Sequence, residues 1–129
     1  MPPLQFDTTL SLSDAEKTAL AERVTELYTT EMATTAGHVA VTIRDRGAAA
    51  LHFGRAVDGP LFFLDAEIRR GRSLERNRAF ALATVEYSGN TFDIPDEHTK
   101  AVFTDHPDEA MMGVDRVGGD WDGDLDESA

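Results

Sequence analysis

The 129-residue sequence predicts an α+β (α/β) domain built as a tandem β-α-β repeat, a four-stranded sheet with two helices on one face. Two observations predict it. The apolar period switches from two to the helical spacing and back, twice along the chain. Each helical stretch is preceded by a serine placed to cap it, Ser13 and Ser73.

The elements follow in order. Leu4, Phe6 and Thr8 alternate with Gln5 and Asp7, a half-buried first strand. Ser13-Asp14-Ala15-Glu16 is a capping box, so a helix is expected to run to about Met32 with Leu20, Val24, Leu27 and Tyr28 on its buried side. Val39, Val41 and Ile43 alternate into a second strand. Gly47 to Gly59 reads as a loop, with a short turn or hairpin around Leu51 to Phe53. Pro60 opens the second unit. Leu61 to Leu64 is a continuous apolar run, the pattern of a strand covered on both faces, which suggests packing against other subunits. Ser73 caps a second helix with Leu74, Ala81, Leu82 and Val85 along one side, and Gly89-Asn90 is expected to stop it. Ala101 to Thr104 forms a fourth strand. Each crossover joins parallel strands with a right-handed connection. One domain is expected over 1–119, with units of about 2–46 and 60–105; Gly113 to Gly119 reads as a loop or short hairpin, and 120–129 as an acidic disordered tail.

Composition narrows the function. The net charge is −12, from 24 acidic and 12 basic residues, and the basic set is ten arginines with only Lys17 and Lys100. Such a surface repels phosphates and argues against nucleic-acid binding. An acidic, lysine-poor surface suits a halophilic protein, because the Debye length shrinks to roughly 3 Å at 1 M salt and self-repulsion costs little. No apolar run reaches the roughly eighteen residues of a membrane span, and no signal-peptide pattern opens the chain. The absence of cysteine excludes disulfides and thiol chemistry and suits a cytoplasmic protein. His38, His52, His98 and His106 lie far apart without metal-ligand spacing, so neither a metal nor a cofactor is expected.

Two features carry chemistry. Pro2 lies behind the initiator Met1 at the head of a strand. Once Met1 is removed, it is a secondary amine that can act as general base, general acid or nucleophile. Guanidinium groups and a partly apolar pocket disfavour its charged form and bring its pKa towards neutrality, where a base works best. With Met1 retained the nitrogen is a tertiary amide and that chemistry stops. The second feature is Arg69-Arg70-Gly71-Arg72-Ser73, at a strand end and helix start, where an anion also meets backbone N–H groups. A guanidinium grips a carboxylate with two hydrogen bonds. Arg76 and Arg78, further along the helix, read as partners of acidic residues on a solvated face. Tyr28 reads as a core residue, as do Phe53, Phe103 and Met112, although the last three could line an apolar pocket.

The order and spacing of these motifs resemble the tautomerase superfamily, the group of 4-oxalocrotonate tautomerase, cis-3-chloroacrylic acid dehalogenase, malonate semialdehyde decarboxylase and macrophage migration inhibitory factor. The resemblance runs from Pro2 to about Gly119. It rests on Met1-Pro2 leading a strand, the β-α-β repeat, Arg69 to Ser73, and Met112-Gly113-Val114-Asp115-Arg116-Val117-Gly118-Gly119. It implies a homotrimer, Pro2 as the catalytic amine, and Arg69 and Arg72 as the Arg-x-x-Arg pair that binds substrate carboxylate, with Arg70 extra. Three positions depart from the dehalogenase: Tyr28 stands at its helix-one histidine, Gly113 or Asp115 at its C-terminal glutamate, and Val102 at its last-strand tyrosine. Simple tautomerase chemistry on a 2-keto or enol acid therefore fits best. The alternatives are hydration, dehalogenation or decarboxylation of a three-carbon acid, or a non-catalytic trimer that retains Met1.

Overall fold

A computed structural model describes residues 3–37, 39–54 and 58–112. Pro2, the segment Gly113 to Gly119 and the acidic end lie outside the described residues. The elements are β1 (Pro3–Thr8), α1 (Asp14–Glu31), β2 (Ala40–Asp45), β3 (Phe62–Arg69), α2 (Leu74–Phe92) and β4 (Thr99–His106). The sheet order is β2-β1-β3-β4. Each β-α-β unit pairs its own strands in parallel, and the units meet where β1 and β3 run antiparallel, Leu4 opposite Ala66.

The first unit follows its sequence signals closely. Ser13 accepts from the Glu16 N–H while the Glu16 carboxylate accepts from the Ser13 N–H, the reciprocal capping box. Leu20, Val24 and Tyr28 are fully buried, and Leu27 packs at the core margin. Asp45, at the end of β2, accepts from the Leu12 N–H and pairs with Lys17 at 3.3 Å, tying the strand to the start of α1.

The second unit departs in four ways. β3 continues to Arg69, and the helices of this chain cover one of its faces. Phe62, Leu64, Ala66 and Ile68 enter the core, while Phe63, Asp65 and Glu67 face away from the helices. The apolar run Leu61 to Leu64 thus continues into a polar alternation on the face that the helices leave open. In α2 the buried stripe is Phe80, Thr84 and Ser88, whereas Leu74 and Leu82 are exposed. Thr84 and Ser88 can be buried because their hydroxyls donate back to the Phe80 and Val85 carbonyls. Gly89-Asn90 does not stop the helix. A Cβ at Gly89 would meet the Ile94 carbonyl at 3.3 Å, so this glycine admits the returning chain, and Asp93 ends the helix in a left-handed conformation, φ 58°. β4 runs from Thr99 to His106, longer than its apolar centre. Among the described residues no hairpin forms around Leu51 to Phe53; Phe53 instead packs edge-to-face on Phe63 at a centroid distance of 6.3 Å.

The core is one cluster between the sheet and both helices. Tyr28 and Phe80 join α1 to α2 edge-to-face at 5.2 Å, and Phe6 and Phe62 do the same across β1 and β3 at 5.2 Å. The opposite sheet face is charged. Asp7 there receives both Nε and Nη2 of Arg44, at 2.9 and 3.0 Å, and Nε of Arg46 at 2.7 Å. Burial pushes the Asp7 carboxyl up, but the hydrogen bonds and charges of Arg46 and Arg44 outweigh it and leave its pKa lowered. No helix among the described residues is long and apolar enough to cross a membrane.

Candidate active site

The sheet register brings one end of three strands together. β1 starts at Pro3, β3 runs antiparallel to it and ends at Arg69, and Arg69 pairs with His106 at the end of β4. A cavity of about 280 Å³ opens here, lined by Pro3, Glu67, His106, Ala110, Met111 and Met112. Its apolar wall comes from Ala110 and the two methionines that follow, with Met111 buried and Met112 exposed. Met112 thus lines a cavity, whereas Phe103 packs on Phe80 at 6.3 Å and Phe53 on Phe63.

Glu67 and His106 are the ionisable lining residues, and neither was singled out by the sequence. His106 Nε2 lies 2.9 Å from Glu67 Oε1. The hydrogen bond from His106 lowers the Glu67 pKa against burial, with Asp65, the His106 charge and Thr104 assisting. Asp65, two positions earlier on the same face of β3, moves the other way: burial, then the hydrogen bond and charge of Glu67, push its carboxyl up. Two neighbouring carboxyls therefore differ in their readiness to hold a proton.

The arginine motif stands at the same end of β3. Arg69 is 5% exposed and Arg72 8%, while Arg70 is exposed and its backbone N–H donates to the His106 carbonyl at 3.0 Å. Arg72 Nε donates to the Met32 carbonyl at 3.0 Å, and its guanidinium lies 5.9 Å from the Tyr28 ring centroid. Arg76 donates through Nη1 to the Glu31 carbonyl at 3.0 Å. Two cations thus meet the carbonyl end of α1, whose own last turn holds no basic residue, and there they complement the negative end of the helix dipole. Burial lowers the Arg72 pKa; Tyr28 opposes this and Arg69 and Arg76 add to it. Tyr28 is a core residue, its phenol pushed up to about 12 by burial against the opposing charges of Arg72 and Arg69. The structure thus groups Arg69 and Arg72 around Tyr28 and leaves Arg70 at the surface. Val102, exposed on β4, does not line the cavity. Among the described residues no group of three histidine, aspartate or glutamate side chains could hold a metal.

No family model matches the sequence, and no curated protein matches it. Solved structures do. N1, a member of the cis-3-chloroacrylic acid dehalogenase (cis-CaaD) family, superposes with a TM-score of 0.81 at 19% identity over 92% of this chain and 84% of its own. Macrophage migration inhibitory factor from Toxoplasma gondii gives 0.77 at 17% identity, over 89% of this chain and 98% of its own. The W0 fused 4-OT, solved as a symmetric trimer, gives 0.74 at 19% identity, over 83% and 88%. At these identities the likeness is one of architecture, and the chain has the fold shared by these tautomerase-superfamily proteins.

Proposed function

We propose that this protein is a tautomerase, an isomerase of a carboxylate-bearing 2-keto or enol acid, with the amine of Pro2 as general base. One observation carries the reading: Pro3, the residue after that amine, lines a cavity at the strand end where Arg69 closes β3 and Arg72 follows. Pro2 takes a proton from carbon or from the enol oxygen and returns it at another carbon. Arg69 and Arg72, with Arg70 at the surface, hold the substrate carboxylate. A guanidinium has five donors and can serve a backbone carbonyl and a ligand together. Their positive charge stabilises the enolate as it develops. The active form is a homotrimer in which the charged sheet face, left open by the helices, is covered by other copies.

The test is an intact mass followed by phenylpyruvate tautomerisation. Protein lacking Met1 is expected to turn over. Pro2→Ala, also lacking Met1, is expected to lose on the order of 10²–10⁴-fold. Unchanged turnover in that variant removes Pro2 from the mechanism, and a fully retained Met1 removes the amine.

A further inference from the structure

The cavity holds a second proton-handling group that neither the proline nor the arginines account for. We infer that His106, oriented by Glu67, is the catalytic residue that meets the substrate's 2-oxo oxygen in the cavity that Pro3 also lines. This rests on the tautomerase reading and deepens it.

His106 lines the cavity, and its Nε2 is engaged by Glu67 at 2.9 Å. Glu67 is kept ionised by that bond, and Asp65 backs it on the same strand face. An ionised carboxylate makes Nε2 the donor, so the second ring nitrogen, Nδ1, is the one left to exchange a proton with a ligand. The elements around the imidazole bring Pro3 from β1, Glu67 from β3, and Ala110, Met111 and Met112 from the segment after β4. Of these only Glu67 ionises, so one carboxylate orients the ring and the other lining side chains are apolar. A nucleophile–base–orienter relation has this form, here with a half-buried orienter on the open sheet face.

The Pro2 nitrogen takes a proton from C3, and the C3–H electron pair becomes the C2–C3 double bond. The C2=O π pair moves onto oxygen, which takes a proton from protonated His106 Nδ1. The products are the enol, a prolinium and neutral imidazole. Solvent returns a proton to His106 and removes one from Pro2. Glu67 is a positioning residue and touches no reacting atom.

The test compares wild type, His106→Gln, Glu67→Gln and the double variant, each checked for native circular dichroism. With phenylpyruvate, His106→Gln is expected to lower kcat about 10²-fold with KM little changed, and to erase one limb of the pH–rate profile. Glu67→Gln is expected to lower kcat less, and to add nothing in the His106→Gln background, because its effect passes through the imidazole. Unaltered kcat and pH profile in folded His106→Gln overturn the proposal, as does full additivity of the two substitutions. A readout without turnover keeps the two readings separable. Oxalate, a planar mimic of the enolate, is titrated while the imidazole resonances are followed, with His106→Gln identifying the signal. A shift of that signal in both wild type and Pro2→Ala supports His106 as a ligand contact even where tautomerisation is absent. Oxalate binding that leaves it unmoved refutes the contact even where wild type turns over.

Discussion

Removing the Arg72 side chain should destabilise the fold and weaken carboxylate binding, and the two losses are separable. Arg72 is 8% exposed; its guanidinium donates through Nε to the Met32 carbonyl at 3.0 Å and lies 5.9 Å from the Tyr28 ring centroid. A hydrogen bond from a charged donor contributes about 1.5–3 kcal/mol, and a partly desolvated cation–π contact about 0.5–2 kcal/mol. Against these stands the cost of keeping the cation out of water, the same burial that lowers its pKa. The net loss in Arg72→Ala should be about 2 kcal/mol, or roughly 5–10 °C in melting temperature for a domain of this size. Arg72→Lys keeps the charge but has no Nε–H in the guanidinium position, so it should recover less than half of the loss. Urea titration and calorimetry measure this. Turnover of phenylpyruvate by the folded fraction measures binding, where Arg72→Ala should cost about 1.5–3 kcal/mol in kcat/KM. A variant as stable as wild type within about 0.5 kcal/mol refutes the bridge to α1. A destabilised variant with unchanged kcat/KM leaves Arg72 as a structural strut only.

Three further outcomes follow from other parts of the molecule. Asp7→Asn should lose about 1–2 kcal/mol at pH 7, because its ion pairs with Arg44 and Arg46 include partly exposed partners. The Asp7 pKa is lowered on folding, so its contribution is complete above the ordinary aspartate value near ~4 and is lost as pH falls through the lower folded value; the gap between variant and wild type in urea titrations should therefore close in acid, and a gap constant from pH 7 to strongly acid conditions would contradict the assignment. Phe80→Ala empties a fully buried site between Tyr28 and Phe103 and should cost about 3–5 kcal/mol, read as a lower urea midpoint; a loss under about 1 kcal/mol would mean the helix interface is not packed as described. The −12 charge predicts that a homotrimer loosens at low ionic strength; light scattering decides it, since a monomer at molar salt removes the trimer and a trimer equally stable in water removes the salt dependence.

How far the sequence could be read depended on the range of the interactions that decide each feature. The capping box and alternating strands are local, and they placed α1, β1 and β2 correctly. The failures in the second unit have non-local causes. Leu74, Leu82 and Val85 form a plausible apolar side for α2, yet the buried stripe is Phe80, Thr84 and Ser88. Threonine and serine carry no signal of burial until their hydroxyls are seen to bond within the helix. Gly89 was legible as a glycine with a purpose, but its purpose is the approach of Ile94 and not termination.

The same reasoning separates what was visible of the site from what was hidden. Arg69 and Arg72 stood out because charge at a strand end and helix start is a local pattern. Their contact with the end of α1 was invisible because Met32 lies 40 residues from Arg72. The one available hint was that α1 has no basic residue in its last turn, so its carbonyl end needed a cation from elsewhere. Glu67 and His106 are also separated in sequence, by 39 residues, and only the β3–β4 register joins them. A fourth strand read as Ala101 to Thr104 stops two residues short of His106. Extending it by the period-two rule, with Val102, Thr104 and His106 on one face, would have placed the histidine beside the polar alternation of Asp65 and Glu67 on β3. Polar residues at alternate positions on a central strand are costly unless they meet partners or a ligand. That cost is the reason to look for chemistry on this face of the sheet, opposite the packed core.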